Sequence, residues 1–260
     1  MSSPLESIRP MQALPGGSPL ADAKNVWRCP VQVGDGTDVA FVKLLAPYEL
    51  VREVVCALVA QAAGLPVVQP GVATLENAGI DTDIRFTFAS LAVDTQFAPR
   101  LRDDTVLRSQ LARWPSLRSA IAFDEWIANA DRTIDNLLFR GTSDFVLVDH
   151  GEAIPSGMSV DSLTVNQLAR LAYQDVSRDE EHAALQQVRQ AASTFDQVDF
   201  AQIKVASHAP WWGGEEMLDG CCRFLEDRRR HLDDLIAELF GDKQQTLQLQ
   251  SPARHVGGGE

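Results

Sequence analysis

One stretch of this sequence concentrates residues whose types and spacing could do chemistry. Asn129-Ala130-Asp131-Arg132 is followed by Asn136, five residues after Asp131, and then by Asp149-His150-Gly151 at the end of an apolar run. A carboxylate on a loop can orient a hydroxyl and accept its proton. An amide carbonyl and a second carboxylate are hard oxygen ligands of the kind Mg²⁺ prefers. Asp131, Asn136 and Asp149 are therefore the groups that transfer of a γ-phosphoryl group to a hydroxyl requires. Upstream, Lys43 occupies an apolar strand position in Ala40-Phe41-Val42-Lys43-Leu44. Burying an ammonium there is costly unless it meets an anion. Glu53, ten residues on, is its natural partner, and Glu49, one helical turn earlier, is the competitor. Gly16-Gly17-Ser18 is a candidate phosphate loop, because glycine lets backbone N–H groups approach phosphate oxygens closely. A plain flexible turn reads those glycines equally well.

These residues need elements to position them. Val26–Leu45 alternates as two strands around Gly34-Asp35-Gly36, a hairpin pattern that ends on the lysine. Tyr48–Ala63 carries Val51, Val54, Val55, Leu58 and Val59 at helical spacing, with Gly64 as a C-cap and Pro66 beyond. Two more strands are predicted over 67–75 and 84–93. Residues 106–130 read as helix interrupted at Pro115, followed by a short strand pair, Asn136–Phe139 and Phe145–Val148, around a Gly-Thr-Ser turn. Helices dominate from Ser162 to Phe240, the last an amphipathic run from Met217, and residues 1–25 read as a loose lead-in. The pattern is α+β: a β-rich N-terminal part over 1–93, a helical part over 94–240, and a polar tail over 241–260 predicted to be disordered.

Composition narrows the partners. The chain has 260 residues, 45% hydrophobic, with 23 Lys and Arg against 36 Asp and Glu, a net charge of −13. That balance repels phosphate backbones and anionic lipid surfaces, which argues against nucleic acid and membranes as partners. The longest uncharged stretch, Val54–Leu75, is broken by Gln61, Gly64-Leu65-Pro66 and Gln69-Pro70, so it reads as a helix and a strand. No basic segment precedes an apolar core at the N-terminus, and a cytoplasmic location is expected. Cys29, Cys56 and the adjacent pair Cys221-Cys222 have no metal-ligand spacing. His182, His208, His231 and His255 read as surface or satisfied histidines, Trp211-Trp212 as core packing, and Glu226–Asp234 as a solvated charged helix face.

Taken together, Gly16-Gly17-Ser18, Val42-Lys43, Glu53 eleven residues before Gly64-Leu65-Pro66, Asp131-Arg132…Asn136 and Val148-Asp149-His150-Gly151 resemble the HipA-like kinases. The Asp-Arg-x-x-x-Asn and Asp-x-Gly pieces are also similar to phosphatidylinositol kinases. The resemblance covers roughly residues 12–240. It implies a two-lobed protein-kinase-like fold holding ATP and Mg²⁺ between the lobes. By position it implies that Lys43 contacts phosphates, Glu53 orients Lys43, Asp131 is the base, and Asn136 and Asp149 hold metal. Phe86-Thr87-Phe88-Ala89-Ser90 would be the hinge whose backbone meets adenine.

The chain departs from the family in three ways. Its length leads to the expectation of a compact member, without the additional N-terminal subdomain of full-length HipA toxins. Arg52 stands where asparagine often precedes the helix glutamate. Gln12-Ala13-Leu14-Pro15 offers no hydroxyl at the family's regulatory serine, and Ser18 is the nearest substitute. The activity implied is phosphorylation of serine or threonine in a protein substrate, with a regulatory partner protein as a further expectation. Two other readings stay open: a small-molecule or lipid kinase of the same fold, and a nucleotide-binding pseudokinase serving as a binding module.

Overall fold

A computed structural model describes residues 5–21, 23–92, 96–97, 104–141, 143–174 and 176–249. The lead-in is not loose. It contains β1 (Arg9–Ala13) and β2 (Ser18–Pro19), which lie along β3 (Val26–Val33). Only Met11 and Ala13 of β1 are buried, a weak alternation, and one of its partners lies some sixty positions away in parallel register, so nothing local announces the strand. β3 and β4 (Gly36–Lys43) form the expected hairpin, with Val33 opposite Gly36 and Val26 opposite Lys43.

Helix α1 (Pro47–Ala62) follows, with proline in its first turn, where a missing N–H does no harm. β5 (Pro70–Thr74) and β6 (Phe86–Leu91) complete a six-stranded sheet of order β1-β5-β6-β4-β3-β2. The strand predicted over 67–75 is shorter than expected because Val67 instead bridges to Leu147. One face of the sheet, through Val72 and Phe88, shares a core with Leu50, Val54, Val55 and Leu58 of α1. The other face buries Met11, Val31, Val42 and Ala73 under Leu75 and Ala78.

A second sheet joins β7 (Gln96–Phe97), β8 (Leu137–Phe139) and β9 (Phe145–Leu147). Helices α2 (Asp104–Arg113) and α3 (Leu117–Trp126) flank Pro115, as the interrupted pattern predicts. The rest is helical: α4 (Gln167–Tyr173), α5 (Arg178–Ala192), α6 (Phe200–Ala206), α7 (Ala209–Trp212), α8 (Glu215–Arg229) and α9 (Leu232–Leu249). Helix α9 runs through Gly241, where the tail was expected to begin; a single glycine costs a helix only about 1 kcal/mol. Residues 250–260 of that expected tail lie outside the described residues.

The helical core is continuous with α1: Leu218, Cys221, Cys222 and Leu225 of α8 belong to the same cluster as Val51 and Val55. Trp126 stacks on Phe195 with centroids 5.0 Å apart and donates its indole N–H to the Leu225 carbonyl at 2.8 Å. The two expectations for the tryptophan pair and the charged run need correction. Trp212 is buried, but Trp211 is 43% exposed and packs edge-on against Phe86. Arg228, in the middle of the run read as a solvated face, is fully buried against Glu125.

Candidate active site

Lys43 ends β4, α1 starts four residues later, and the helix packs on the neighbouring strands β5 and β6, from where its Glu53 reaches the lysine. Within α1 the two candidate glutamates do different things. The Glu49 carboxylate turns back to accept from the Ala46 backbone N–H at 2.8 Å, capping the helix start. Glu53, one turn on and 1% exposed, meets Lys43, with Nζ to Oε1 at 2.5 Å. Its other oxygen accepts from the His150 backbone N–H at 2.9 Å and faces His150 Nδ1 at 3.4 Å.

Lys43 also touches Asp149, with Nζ to Oδ1 at 3.1 Å. Asp149 reaches it from a left-handed backbone conformation, φ 61°, just beyond β9. A non-glycine residue held there is strained, and such strain gathers at functional sites. Burial works against the charge of Lys43, but Glu53 and Asp149 more than offset it, leaving the ammonium pKa above its ordinary value. Burial also opposes ionisation of Glu53, yet Lys43 and the His150 hydrogen bond hold its carboxyl well below the usual range. Burial pushes the His150 pKa down, with Glu53 opposing, which favours the neutral ring.

The second half of the site comes from the loop between α3 and β8. Asp131 is exposed, and its backbone N–H donates to the Asn129 side chain at 3.1 Å. Asn136 donates its amide N–H to the Asp131 carbonyl at 2.6 Å, which turns the amide oxygen the other way as a free acceptor. The Asn136 carbonyl accepts from the Val148 N–H at 3.2 Å, so the start of β8 stands beside the residue before Asp149. Arg132 holds the assembly from below. It is fully buried, donates to both Asp124 oxygens at 3.1 Å through Nε, and uses Nη1 for the carbonyls of Asn136 and Val148. A guanidinium suits this role because its five donors sit in a rigid fork.

The structure thus brings Lys43, Glu53, Asp149, Asn136 and Asp131 into one chain of contacts. The sequence matches the HipA-like kinase family over residues 33–203. The chain belongs to the HipA-like kinase family. Among solved structures, the fold is similar to that of the Helicobacter pylori proinflammatory kinase CtkA, at 14% identity and a TM-score of 0.54, covering 87% of this chain and 96% of that one. No protein of curated function matches the sequence.

Two expectations carried by the family resemblance look different in this HipA-like kinase. Phe86 and Phe88 lie in β6, the strand between β5 and β4, paired to β5 over Phe86–Ser90 and to β4 over Phe88–Leu91. From Phe88 to Ser90 the strand is paired on both sides, so that stretch is not an open edge facing an adenine; the chain leaves the strand at Ala92, and residues 93–95 lie outside the described residues. Phe88 contributes its side chain instead, with Lys43 Nζ 6.0 Å from the ring centroid. Gly16-Gly17-Ser18 sits at the break between β1 and β2, two strands from Lys43, in a row about 10 Å away by strand geometry. Gly17 is required there by close approach: a Cβ would stand 2.5 Å from Cys29 Sγ.

The donor set fits a Mg²⁺ ion. The free amide oxygen of Asn136 and the second carboxylate oxygen of Asp149 are two hard ligands, and an ion that keeps its water and binds phosphate needs few more from the protein. A cleft of about 720 Å³ opens beside Asp131, lined by Arg52, Ala130, Glu152, Pro155 and Ser156.

The supporting roles of the motif neighbours His150 and Arg132, and the part of Asp124 altogether, escape the sequence pattern and are visible only once burial and partners are known. The one available signal was charge in an apolar helix: Asp124-Glu125 interrupts the run from Ile121 to Ile127.

Proposed function

We propose that this HipA-like kinase is an ATP- and Mg²⁺-dependent phosphotransferase of two-lobed architecture, divided near residue 93, whose acceptor is a serine or threonine of a protein. The observation that carries the reading is the arrangement of Lys43 between Glu53 and Asp149, with Asn136 hydrogen-bonded to Asp131 alongside. In this reading the Lys43 ammonium, kept charged and aimed by Glu53, binds the nucleotide phosphates. Asn136 and Asp149 hold Mg²⁺, which supplies neutralisation of phosphate charge. Asp131, exposed at the edge of the open cleft, orients the incoming hydroxyl and accepts its proton. The cleft's openness favours an acceptor delivered on another molecule's surface.

The test is incubation of the pure protein with γ-labelled ATP, Mg²⁺ and a cell lysate. A labelled protein band is expected. A labelled small molecule would move the acceptor to the second class. Nucleotide binding without any transfer would make the chain a binding module.

A further inference from the structure

Three arginines of the chain are buried among the described residues: Arg52, Arg132 and Arg228. Two of them face buried carboxylates, Arg132 with Asp124 at 3.0 Å and Arg228 with Glu125 at 2.8 Å. Arg52 has no such partner among the described residues. Its guanidinium lies over the Tyr48 ring at 4.1 Å, and Nη1 donates to the Gly151 carbonyl at 3.0 Å. Its Nε is buried with no acceptor, and Nη2 reaches only the hydroxyl of Ser156, at 3.5 Å. A buried guanidinium with spare donors is better satisfied by an anion, and the cleft lined by Arg52 and Ser156 is where one can reach it.

Ser156 is where that anion can be made. It is exposed, follows Ile154 at φ 52° and Pro155, and precedes Gly157 at φ 78°, a turn that projects its side chain. It lines the same cleft as Asp131 and Arg52. We propose that Ser156 is phosphorylated by the chain's own transfer reaction, in cis, and that Arg52 holds the resulting phosphate. The proposal rests on the phosphotransferase reading above. In the step, Ser156 Oγ attacks the γ-phosphorus of ATP; the new O–P bond forms as the bond to the β–γ bridging oxygen breaks, and ADP leaves with that electron pair. The hydroxyl proton passes to the Asp131 carboxylate and then to water. The product carries close to two negative charges and accepts paired N–H bonds from the guanidinium. Glu152, also on the cleft wall, repels the phosphate toward Arg52. Because Arg52 precedes Glu53 on α1, the new pair ties the loop after Asp149 to the helix that aims Lys43.

The experiment is incubation of the full chain with γ-labelled ATP and Mg²⁺, phosphopeptide mapping, and a thermal-shift titration with ATP·Mg²⁺ alongside. Label is expected on the peptide containing Ser156, with a rate constant independent of protein concentration. Ser156→Ala should lose that label, Ser156→Thr should carry it on the threonine, and Asp131→Asn should lose it while still being stabilised by nucleotide. Transfer to other acceptors with Ser156 unlabelled would overturn this inference and leave the phosphotransferase reading standing. A rate constant proportional to protein concentration would overturn the cis route. Absence of both nucleotide stabilisation and transfer would overturn the phosphotransferase reading and the inference with it.

Discussion

Glu49 and Glu53 stand one turn apart on α1, and only Glu53 meets Lys43, because the helix start claims the carboxylate nearer to it. The same division of labour separates the two aspartates of the site, and two variants read it out. In the proposed reading Asp149→Ala removes a metal ligand as well as a direct contact of Lys43, so stabilisation by ATP·Mg²⁺ should be weak or lost in a thermal-shift titration. In the same reading Asp131 acts only when the acceptor arrives. Asp131→Asn should keep nucleotide affinity within about threefold by calorimetry while transfer falls by roughly 10²–10⁴, as expected when a group working in the transition state is removed. Wild-type transfer by Asp131→Asn would remove the base role from this loop. The residue types were legible in the sequence because phosphoryl-transfer chemistry restricts them and their spacing. Their supports were not: Arg132, His150 and Arg52 matter through burial and partners 97 to 99 positions away or in a strand that folds back, and no local pattern encodes that.

At the scale of elements, the segment from Ser159 to Thr164 has little regular structure, yet it is held in place. Arg228 of α8 donates to the carbonyls of Val160 at 3.0 Å and Ser162 at 2.8 Å, and Glu125 of α3 accepts from the Thr164 N–H at 3.1 Å. Arg228→Met would take a donor from the carbonyls of Glu125, Ser159, Val160 and Ser162 and strand a buried carboxylate, a loss of about 3–5 kcal/mol measurable by urea denaturation. The carboxylate gives the clamp a pH dependence. Burial raises the Glu125 pKa from 4.5 to about 7, against the pull of the Thr164 N–H and Arg228. Between those values the folded chain binds the proton more tightly than the unfolded one, so this contribution grows as pH falls from 7 toward 4.5 and is lost as pH rises through 7. The stability difference between wild type and Glu125→Gln should therefore shift in favour of wild type on acidification over that window. The hairpin β3–β4, helix α1 and the break at Pro115 were readable from turn residues and periodicity. β1 and β2 were not, since their strand character comes from pairing with distant partners.

For the whole molecule, one core runs from the six-stranded sheet through α1 into α8. No helix among the described residues is long and apolar enough to cross a membrane. With a net charge of −13, self-repulsion opposes this compact state, and salt near 0.15 M, with a Debye length of about 8 Å, screens it. The melting temperature should rise between low salt and that concentration, as one transition, in differential scanning calorimetry; two resolved transitions would show that the shared core does not couple the halves. The contact of Lys43 with Asp149 joins residues 106 positions apart in the chain. Closing a loop of that length is slow and late relative to forming a hairpin or a helix. The Lys43–Asp149 contact, and with it the proposed nucleotide site, should thus be assembled late in folding rather than inherited from either part. During refolding, helical signal should return first and ATP binding last, so a chain released from the ribosome stays inert until its architecture is complete.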